Sequence, residues 1–238
     1  RSEDHDSNPI KIGLGKVKGR GKRVVSVNPV QTGYAAISDD WYGITPGTDG
    51  LLIMSLIREL MSSGNIDVDY LRRYTNSPWL VIRNPGAAND GLFFRDGDGE
   101  PQVIDRLTGA VISHKTKNVS VAMHGEIPLD AGGVATPAFM MITETYMNDA
   151  YSPDAVASSV GISAARIRQF AADLANAAFA KEVVINQPWT DWKGEKHETM
   201  IGRPVSMHAM RGISAHSNGF QTCRALHVLQ LMLGSIEV

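Results

Sequence analysis

The stretch from Val24 to Met61, VVSVNPVQTGYAAISDDWYGITPGTDGLLIMSLIRELM, constrains this chain more than any other. Val24 to Val27 is a β-branched apolar run that stops at Asn28-Pro29. Proline has no N–H to give to a ladder, so a strand halted this way places a loop at its carboxyl end. In open α/β sheets that edge is where ligands bind. A second strand and the tight loop Pro46-Gly47-Thr48-Asp49-Gly50 follow. They lead into Leu51, Leu52, Leu56 and Leu60, with Ile53 and Ile57 widening the apolar face to that of a buried helix. Thr48 and Asp49 are good N-cap residues, and the free N–H groups of a helix start favour anionic ligands. A Pro-Gly turn with a capping Asp is also an ordinary structural device, so PGTD alone leaves both readings open.

The remaining composition narrows the class. The chain has 238 residues, 43% hydrophobic and 20% charged, as in an ordinary globular protein of one large or two small domains. A formal net charge of -2 gives no support to a general nucleic-acid or anionic-membrane role. No apolar run approaches the roughly 18 to 20 residues of a membrane span. The single cysteine, Cys223, excludes a disulfide or a cysteine-cluster metal site within the chain and reads as a small core residue. The chain starts at Arg1, and RSEDHDSNPI lacks the apolar segment of a signal peptide. At the other end the helical LHVLQLMLG breaks off shortly after Gly234. Both ends read as those of an internal segment of a longer protein.

Taken in order, the pattern predicts an α/β fold with a Rossmann-like open, mainly parallel sheet flanked by helices. Residues 1–77 form its first part, 78–135 a small β-rich insertion, and 136–238 the remainder. Ile10 to Lys18 is a short basic amphipathic helix ended by Gly19 and Gly21. Those glycines precede the strand, and Lys22 is followed by Arg23, so neither a dinucleotide fingerprint nor a phosphate loop is present. IDVDYLRRYTN is a short helix with Asp67 near its start. WLVIR, LFFR, QVID and AVISH are strand-like and separated by turn residues. DGDGE has Pro101 and Leu107 where a calcium loop needs glycine and a carboxylate, so it reads as a hairpin turn. Ser152-Pro153-Asp154 opens a helix, Gly161 breaks it, and Ser163 caps the next. This is also the outline of a DNA-binding helix-turn-helix, with only Arg166 and Arg168 to meet phosphate; a DNA-binding module is the rival reading. Glu182 to Asn186 is a strand, and Trp189 and Trp192 after it are either core anchors or pocket walls. His197-Glu198 lacks the second histidine of a zinc-protease helix, and no metal ligand set is predicted. Arg211, Ser214, His216, Ser217 and Asn218 form a polar group directly before an apolar helix, which suits a cofactor or anion contact.

Together these segments carry a likeness. The Val24 to Leu60 stretch resembles the part of the dimethyl sulfoxide reductase family of molybdopterin oxidoreductases in which a strand ends in Asp-Pro or Asn-Pro, an A-D-x-W segment follows, and PGTD opens a helix. RGISAHSNGFQTCRALHVLQLMLG resembles a later segment of the same family, in the right order, with YSPDAVASSVGISAARIRQFAADLA between. Among its branches, EDHDSNPIKIGLGK, RYTNSPWLV and RGISAHSNG are most similar to catalytic subunits of quinone-linked sulfite dehydrogenases, with thiosulfate, polysulfide and tetrathionate reductase subunits close behind.

The resemblance implies a bis(molybdopterin guanine dinucleotide) cofactor carrying one molybdenum, with this chain in the domain that grips a cofactor tail. Carried over by position, Asn28, Thr32, Gly47, Thr48 and Asp49 lie at the dinucleotide, where Asp49 either accepts from the guanine edge or only caps its helix. Asp6, Ser7 and Asn8 match a loop near the pyrophosphate. Arg211, Ala215 and His216 sit toward the pterin and metal, with Arg211 and His216 as the catalytic candidates, and Asn218 joins the cofactor contacts. Ala215 stands where some relatives have an amide side chain, so a contact there is left to the backbone. The iron–sulfur cluster segment, the molybdenum ligand and a C-terminal domain are expected outside this chain, so that alone it is not catalytic. The implied partners are a small oxyanion substrate, an iron–sulfur electron-transfer subunit, and a quinone-reactive membrane anchor subunit, with no nucleic acid. The implied location is cytoplasmic, membrane-associated through the partners, with a periplasmic site left open.

Overall fold

The computed structural model describes residues 9–209 and 211–236, so Asp6, Ser7 and Asn8 lie outside the described residues. Helix α1 (Pro9–Gly19) leads to strand β1 (Val25–Val27), the single turn α2 (Tyr34–Ile37), strand β2 (Asp40–Tyr42) and helix α3 (Asp49–Ser62). β1 and β2 pair in parallel from Val25↔Asp40 to Val27↔Tyr42. Asp39 fixes their start, its carboxylate accepting from the Val24 N–H at 2.8 Å and from Lys18 at 2.7 Å. α3 is the central helix. Leu52, Ile53, Leu56, Ile57 and Leu60 are all buried, as their spacing predicts. It ends at Ser63-Gly64, where Gly64 takes a left-handed φ of 69°. Helix α4 (Val68–Tyr74) follows, capped by Asp67, whose carboxylate accepts from the Tyr70 N–H at 2.9 Å.

Strands β3 (Leu80–Arg83), β4 (Gln102–Ile104), β5 (Val111–Ser113), β6 (Ile127–Pro128) and β7 (Val134–Pro137) make an antiparallel sheet in the order β3-β7-β6 and a separate β4-β5 ribbon. They enclose a second small core of Leu80, Ile104, Ala122 and Ala135. Asp96 accepts from the N–H groups of Asp98 and Glu100, which makes DGDGE the hairpin turn its composition suggests. Helices α5 (Ala138–Tyr146), α6 (Pro153–Val160) and α7 (Ala164–Ala175) come next, α6 and α7 capped by Ser152 and Ser163. A π turn, Asn176–Ala180, precedes β8 (Val183–Ile185), β9 (Trp189–Thr190), β10 (Lys196–His197) and β11 (Met200–Gly202). The chain closes with α8 (Arg211–Ser214) and α9 (Gly219–Met232). α5, α6, α7 and α9 surround α3 in the main core.

The fold is α/β in the broad sense, but the expected open, mainly parallel sheet is not what these pairings build. Among the described residues β1-β2 is the one parallel pair, and the other ladders are antiparallel. The strand expected over Glu182 to Asn186 forms at Val183–Ile185, but not as a member of a parallel sheet. Instead it pairs antiparallel with β11 and is exposed, Val184 by 54%. The hairpin after it returns the chain directly alongside, so no crossover is available to make the pair parallel.

The helix-turn-helix outline forms, with Gly161 at φ 76° between α6 and α7. Its use is internal. The Arg166 guanidinium donates to the Trp41 carbonyl at 3.0 Å and lies 4.4 Å over the Tyr42 ring, while Arg168 pairs with Asp154. α7 buries Ile167, Ala171 and Ala175 in the main core. Both cations of the would-be recognition helix thus already have partners, and phosphate neutralisation is what DNA affinity requires.

Candidate functional site

Asn28 stands at the carboxyl edge of β1. Its N–H donates to the Tyr42 carbonyl at 3.1 Å, its side-chain oxygen accepts from the Val30 N–H at 3.1 Å, and its carbonyl accepts from Trp41 Nε1 at 2.8 Å. This holds the ends of the two parallel strands together. Thr32 is exposed in the following turn, its carbonyl accepting from the Ala35 N–H at 3.1 Å as α2 begins. From β2 the chain passes through Thr45, whose N–H donates to the Val160 carbonyl at 2.9 Å, into Pro46-Gly47-Thr48-Asp49. Gly47 adopts φ 82°, a conformation that L side chains rarely take. Thr48 occupies the N-cap position of α3 without capping it: its hydroxyl donates back to the Thr45 carbonyl at 2.8 Å. Asp49 begins the helix, and its carboxylate has no hydrogen-bond partner among the described residues.

The second half of the site comes from α8 and the loop after it. The Ser214 hydroxyl donates to the Arg211 carbonyl at 3.0 Å, and the Gly219 N–H to the His216 carbonyl at 2.9 Å. Gly219 is obligatory here, because a Cβ built on it would lie 2.1 Å from the Ser214 carbonyl oxygen. Asn218 is the N-cap residue of α9 but makes no side-chain cap bond. Arg211, Ala215, His216 and Asn218 are exposed, and the side chains of Arg211, His216 and Asn218 have no hydrogen-bond partner among the described residues.

The two halves, remote in sequence, meet. A Cβ built on Gly47 would be 3.6 Å from His216 Nδ1, and one built on Gly50 would be 3.0 Å from Thr222 Oγ1. At the other end of the same helices the Asp67 N–H donates to the Met232 carbonyl at 2.7 Å. α3 and α9, of 14 residues each, therefore run side by side in the same direction with their N-termini together. α4, α6 and α7 are capped by their own side chains, but these two are not. The N–H groups of Asp49, Gly50 and Leu51 in α3, and of Phe220 and Gln221 in α9, have no partner among the described residues, and the two dipoles add at one edge. Beside them stand the His216 imidazole, the Asn218 amide and the Asp49 carboxylate, and Arg211 begins the short helix just before α9. Such a set suits a ligand with anionic oxygens for the helix starts and N–H donors for Asp49. Asn28 and Thr32 lie at the strand edge and make no hydrogen bond to Gly47, Asp49 or His216.

The chain is 40% identical over 245 residues to a sulfite dehydrogenase subunit of Allochromatium vinosum, covering 99% of this chain and 25% of that protein. The chain belongs to the dimethyl sulfoxide reductase family of molybdopterin oxidoreductases. A putative dimethyl sulfoxide reductase catalytic subunit from Halobacterium salinarum is 29% identical over 162 residues, 63% of this chain and 18% of that protein. The fold is shared with acetylene hydratase from Pelobacter acetylenicus, at a TM-score of 0.53 and 16% identity over 94% of this chain and 19% of that one. No family model matches the sequence. The chain spans about a quarter of the length of the Allochromatium relative.

Within this molybdopterin oxidoreductase segment, three residues that shape the site escape a reading by motif: Gly50, Thr222 and Gly219. A glycine inside the first turn of a helix, where alanine is better by about 1 kcal/mol, is the signal that marks Gly50 and Gly219 as close approaches. Thr222 has no comparable signal.

Of the two tryptophans left open by the sequence neither is a core residue: Trp189 is half-buried, and Trp192 is exposed and borders a small pocket with Trp79 and His114. Trp189 stacks on His197 at 4.6 Å and Trp192 donates from Nε1 to the Arg73 carbonyl at 3.0 Å, which ties the β9-β10 hairpin to α4. In that hairpin Asp191, Glu195 and His197 bring ligand atoms near enough for a metal ion. Their bonding is already explained by the turn. Asp191 Oδ1 accepts from the N–H groups of Lys193 and Glu195 at 2.9 Å, and Oδ2 pairs with His197 Nε2 at 3.0 Å. Burial pushes the Asp191 carboxyl up, but His197 and the two N–H groups outweigh it and hold its pKa below the usual carboxylate value. A lowered carboxyl adds stability that is complete above the unfolded pKa of about 4 and is lost as pH falls through the folded value. The hairpin should therefore loosen in acid below about pH 4, and Asp191→Asn should remove that component from the acid limb. Tryptophan fluorescence of the two proteins against pH measures it, and superimposable acid limbs would contradict the assignment.

Proposed function

We propose that this chain is the cofactor-tail grip in the catalytic subunit of a molybdenum oxidoreductase that acts on a sulfur oxyanion, oxidising sulfite to sulfate. The observation that carries the reading is the meeting of the PGTD loop and the RGISAHSNG loop at two uncapped, parallel helix starts. The identity to a sulfite dehydrogenase over 99% of the chain supports the substrate class. The residues fit a guanine dinucleotide. The α3 and α9 N–H groups would hold its diphosphate oxygens, Asp49 would accept from the guanine N–H edge, and Asn218 would add an amide contact. Arg211 and His216 would meet anionic oxygen on the pterin side. Asn28 and Thr32 serve by shaping the strand edge behind this loop.

When bound, molybdenum held by two such dinucleotides supplies two-electron oxygen-atom transfer. In the overall reaction sulfite gains an oxygen from water, with release of two protons and two electrons. The electrons would pass to an iron–sulfur partner protein and on to a quinone-reactive membrane anchor, on the cytoplasmic side. Metal analysis and pterin fluorescence of the full-length catalytic protein test the proposal. Molybdenum with two pterins per molecule is the expected result, and a protein with neither would sink it.

A further inference from the structure

We propose that Thr222 is a positioning residue that, through its contact with Gly50, sets the spacing of the two helix starts that grip the cofactor; the link to the cofactor rests on the function proposed above. Thr222 is buried, at 4% exposure, in the first turn of α9. Its N–H and its hydroxyl both donate to the Asn218 carbonyl, at 3.0 and 3.2 Å, so the side chain is tied to the loop that carries His216 and Asn218. Its far side faces α3. A Cβ on Gly50 would lie 3.0 Å from Thr222 Oγ1 and 3.8 Å from both Cβ and Cγ2. The hydroxyl is held by its bond to the Asn218 carbonyl, so rotating it away from Gly50 gives up that hydrogen bond. The two loops thus meet where a side chain at residue 50 would make Thr222 give by a few tenths of an ångström, beside the Asp49 carboxylate and the free N–H groups of α3.

The φ of Gly50 is not among the positive values, so alanine is compatible with its backbone. This produces a sign test. In a free helix Gly→Ala stabilises. Here Gly50→Ala requires Thr222, tied to the start of α9, to give by a few tenths of an ångström, while in a Thr222→Ala background the space is open and the same change should stabilise. In the full-length protein, Gly50→Ala is expected to lower Tm and speed amide exchange in both 47–51 and 216–221. Retained pterin should fall by about tenfold, a mid-range coupling for touching residues. Gly50→Ala with Thr222→Ala should restore slow exchange in both loops and raise Tm above Thr222→Ala alone. Thr222→Ser, which keeps the hydroxyl, should retain pterin as the parent does.

Gly50→Ala that leaves the second loop undisturbed, or that lowers Tm equally in both backgrounds, overturns the inference. If the loops loosen together but pterin retention is unchanged, the positioning role is overturned and Thr222 is a packing residue. A parent protein with no pterin overturns the proposed function instead, and the exchange and Tm readings still decide whether Thr222 couples the loops.

Discussion

Gly219→Ala is expected to unseat the loop carrying Arg211 and His216, lowering Tm by several degrees and removing most of the bound cofactor. In an open helix the same change would stabilise by up to about 1 kcal/mol, so only the local contact gives it the opposite sign. That contact is severe. The new Cβ would sit 2.1 Å from the Ser214 carbonyl oxygen, 2.5 Å from its carbonyl carbon and 2.8 Å from its Cα. These are backbone atoms, and no side-chain rotation relieves them. Restoring ordinary contact needs a backbone shift of roughly 1 Å, and overpacking of this kind costs about 1–3 kcal/mol. For a chain of this size that is a Tm loss of roughly 3–10 °C. The part that moves is the segment between Ser214 and Gly219, whose His216 lies against Gly47. A displacement of about 1 Å at a binding group is enough to cost on the order of a hundredfold in function. Thermal unfolding and pterin content measured together test this. Normal values of both in Gly219→Ala would mean that the loop does not fold onto α9 this way.

The contrast between Gly219 and its neighbours shows what the sequence makes legible. The helix boundaries follow from local chemistry that a reader can see: Asp67, Ser152 and Ser163 cap, Gly64 and Gly161 end helices, and the leucine spacing of α3 marks the buried face. The two site loops are legible as well, since PGTD and RGISAHSNG each place polar groups before an apolar helix. Their meeting is not legible from either segment, because a first-turn glycine marks a close approach without saying which segment makes it. The sheet misleads for the opposite reason. Val183 to Ile185 has the composition of a buried parallel strand, yet its pairing is chosen by the hairpin that follows it, a tertiary preference that overrides strand propensity. Asp49 illustrates a third case. Its residue type allows both a cap and a ligand contact; in the structure it is the first residue of α3, with Thr48 at the N-cap position, and the helix start carries no side-chain capping bond.

The largest loss of stability away from the site is expected from Arg203→Ala. Arg203 and Asp67 are buried to 13% and 14% side-chain exposure, with Nη2 to Oδ2 at 2.8 Å and Nε to Oδ2 at 3.0 Å. The guanidinium also donates to the Ala178 carbonyl at 3.3 Å, pairs with Glu182 and lies 4.9 Å over the Phe179 ring. Asp67 in turn caps α4 and joins α9 through the Met232 carbonyl. One side chain thus ties the π turn, β11, α4 and the C-terminal end of α9. Truncating it leaves a carboxylate buried without its cation, which costs about 3 kcal/mol, or a Tm fall of roughly 6–12 °C. Arg203→Met keeps the packing on Phe179 without the charge, so a Tm near that of Arg203→Ala identifies the ion pair as the main term. Because this cluster lies at the end of α3 and α9 opposite the uncapped starts, pterin per folded molecule should stay normal in both variants. A Tm change under about 2 °C would show that the pair is compensated by water. Loss of pterin from protein that remains folded would show that the two ends of the helix pair are coupled, so that the grip depends on the whole α3-α9 contact and not only on Gly50 and Thr222.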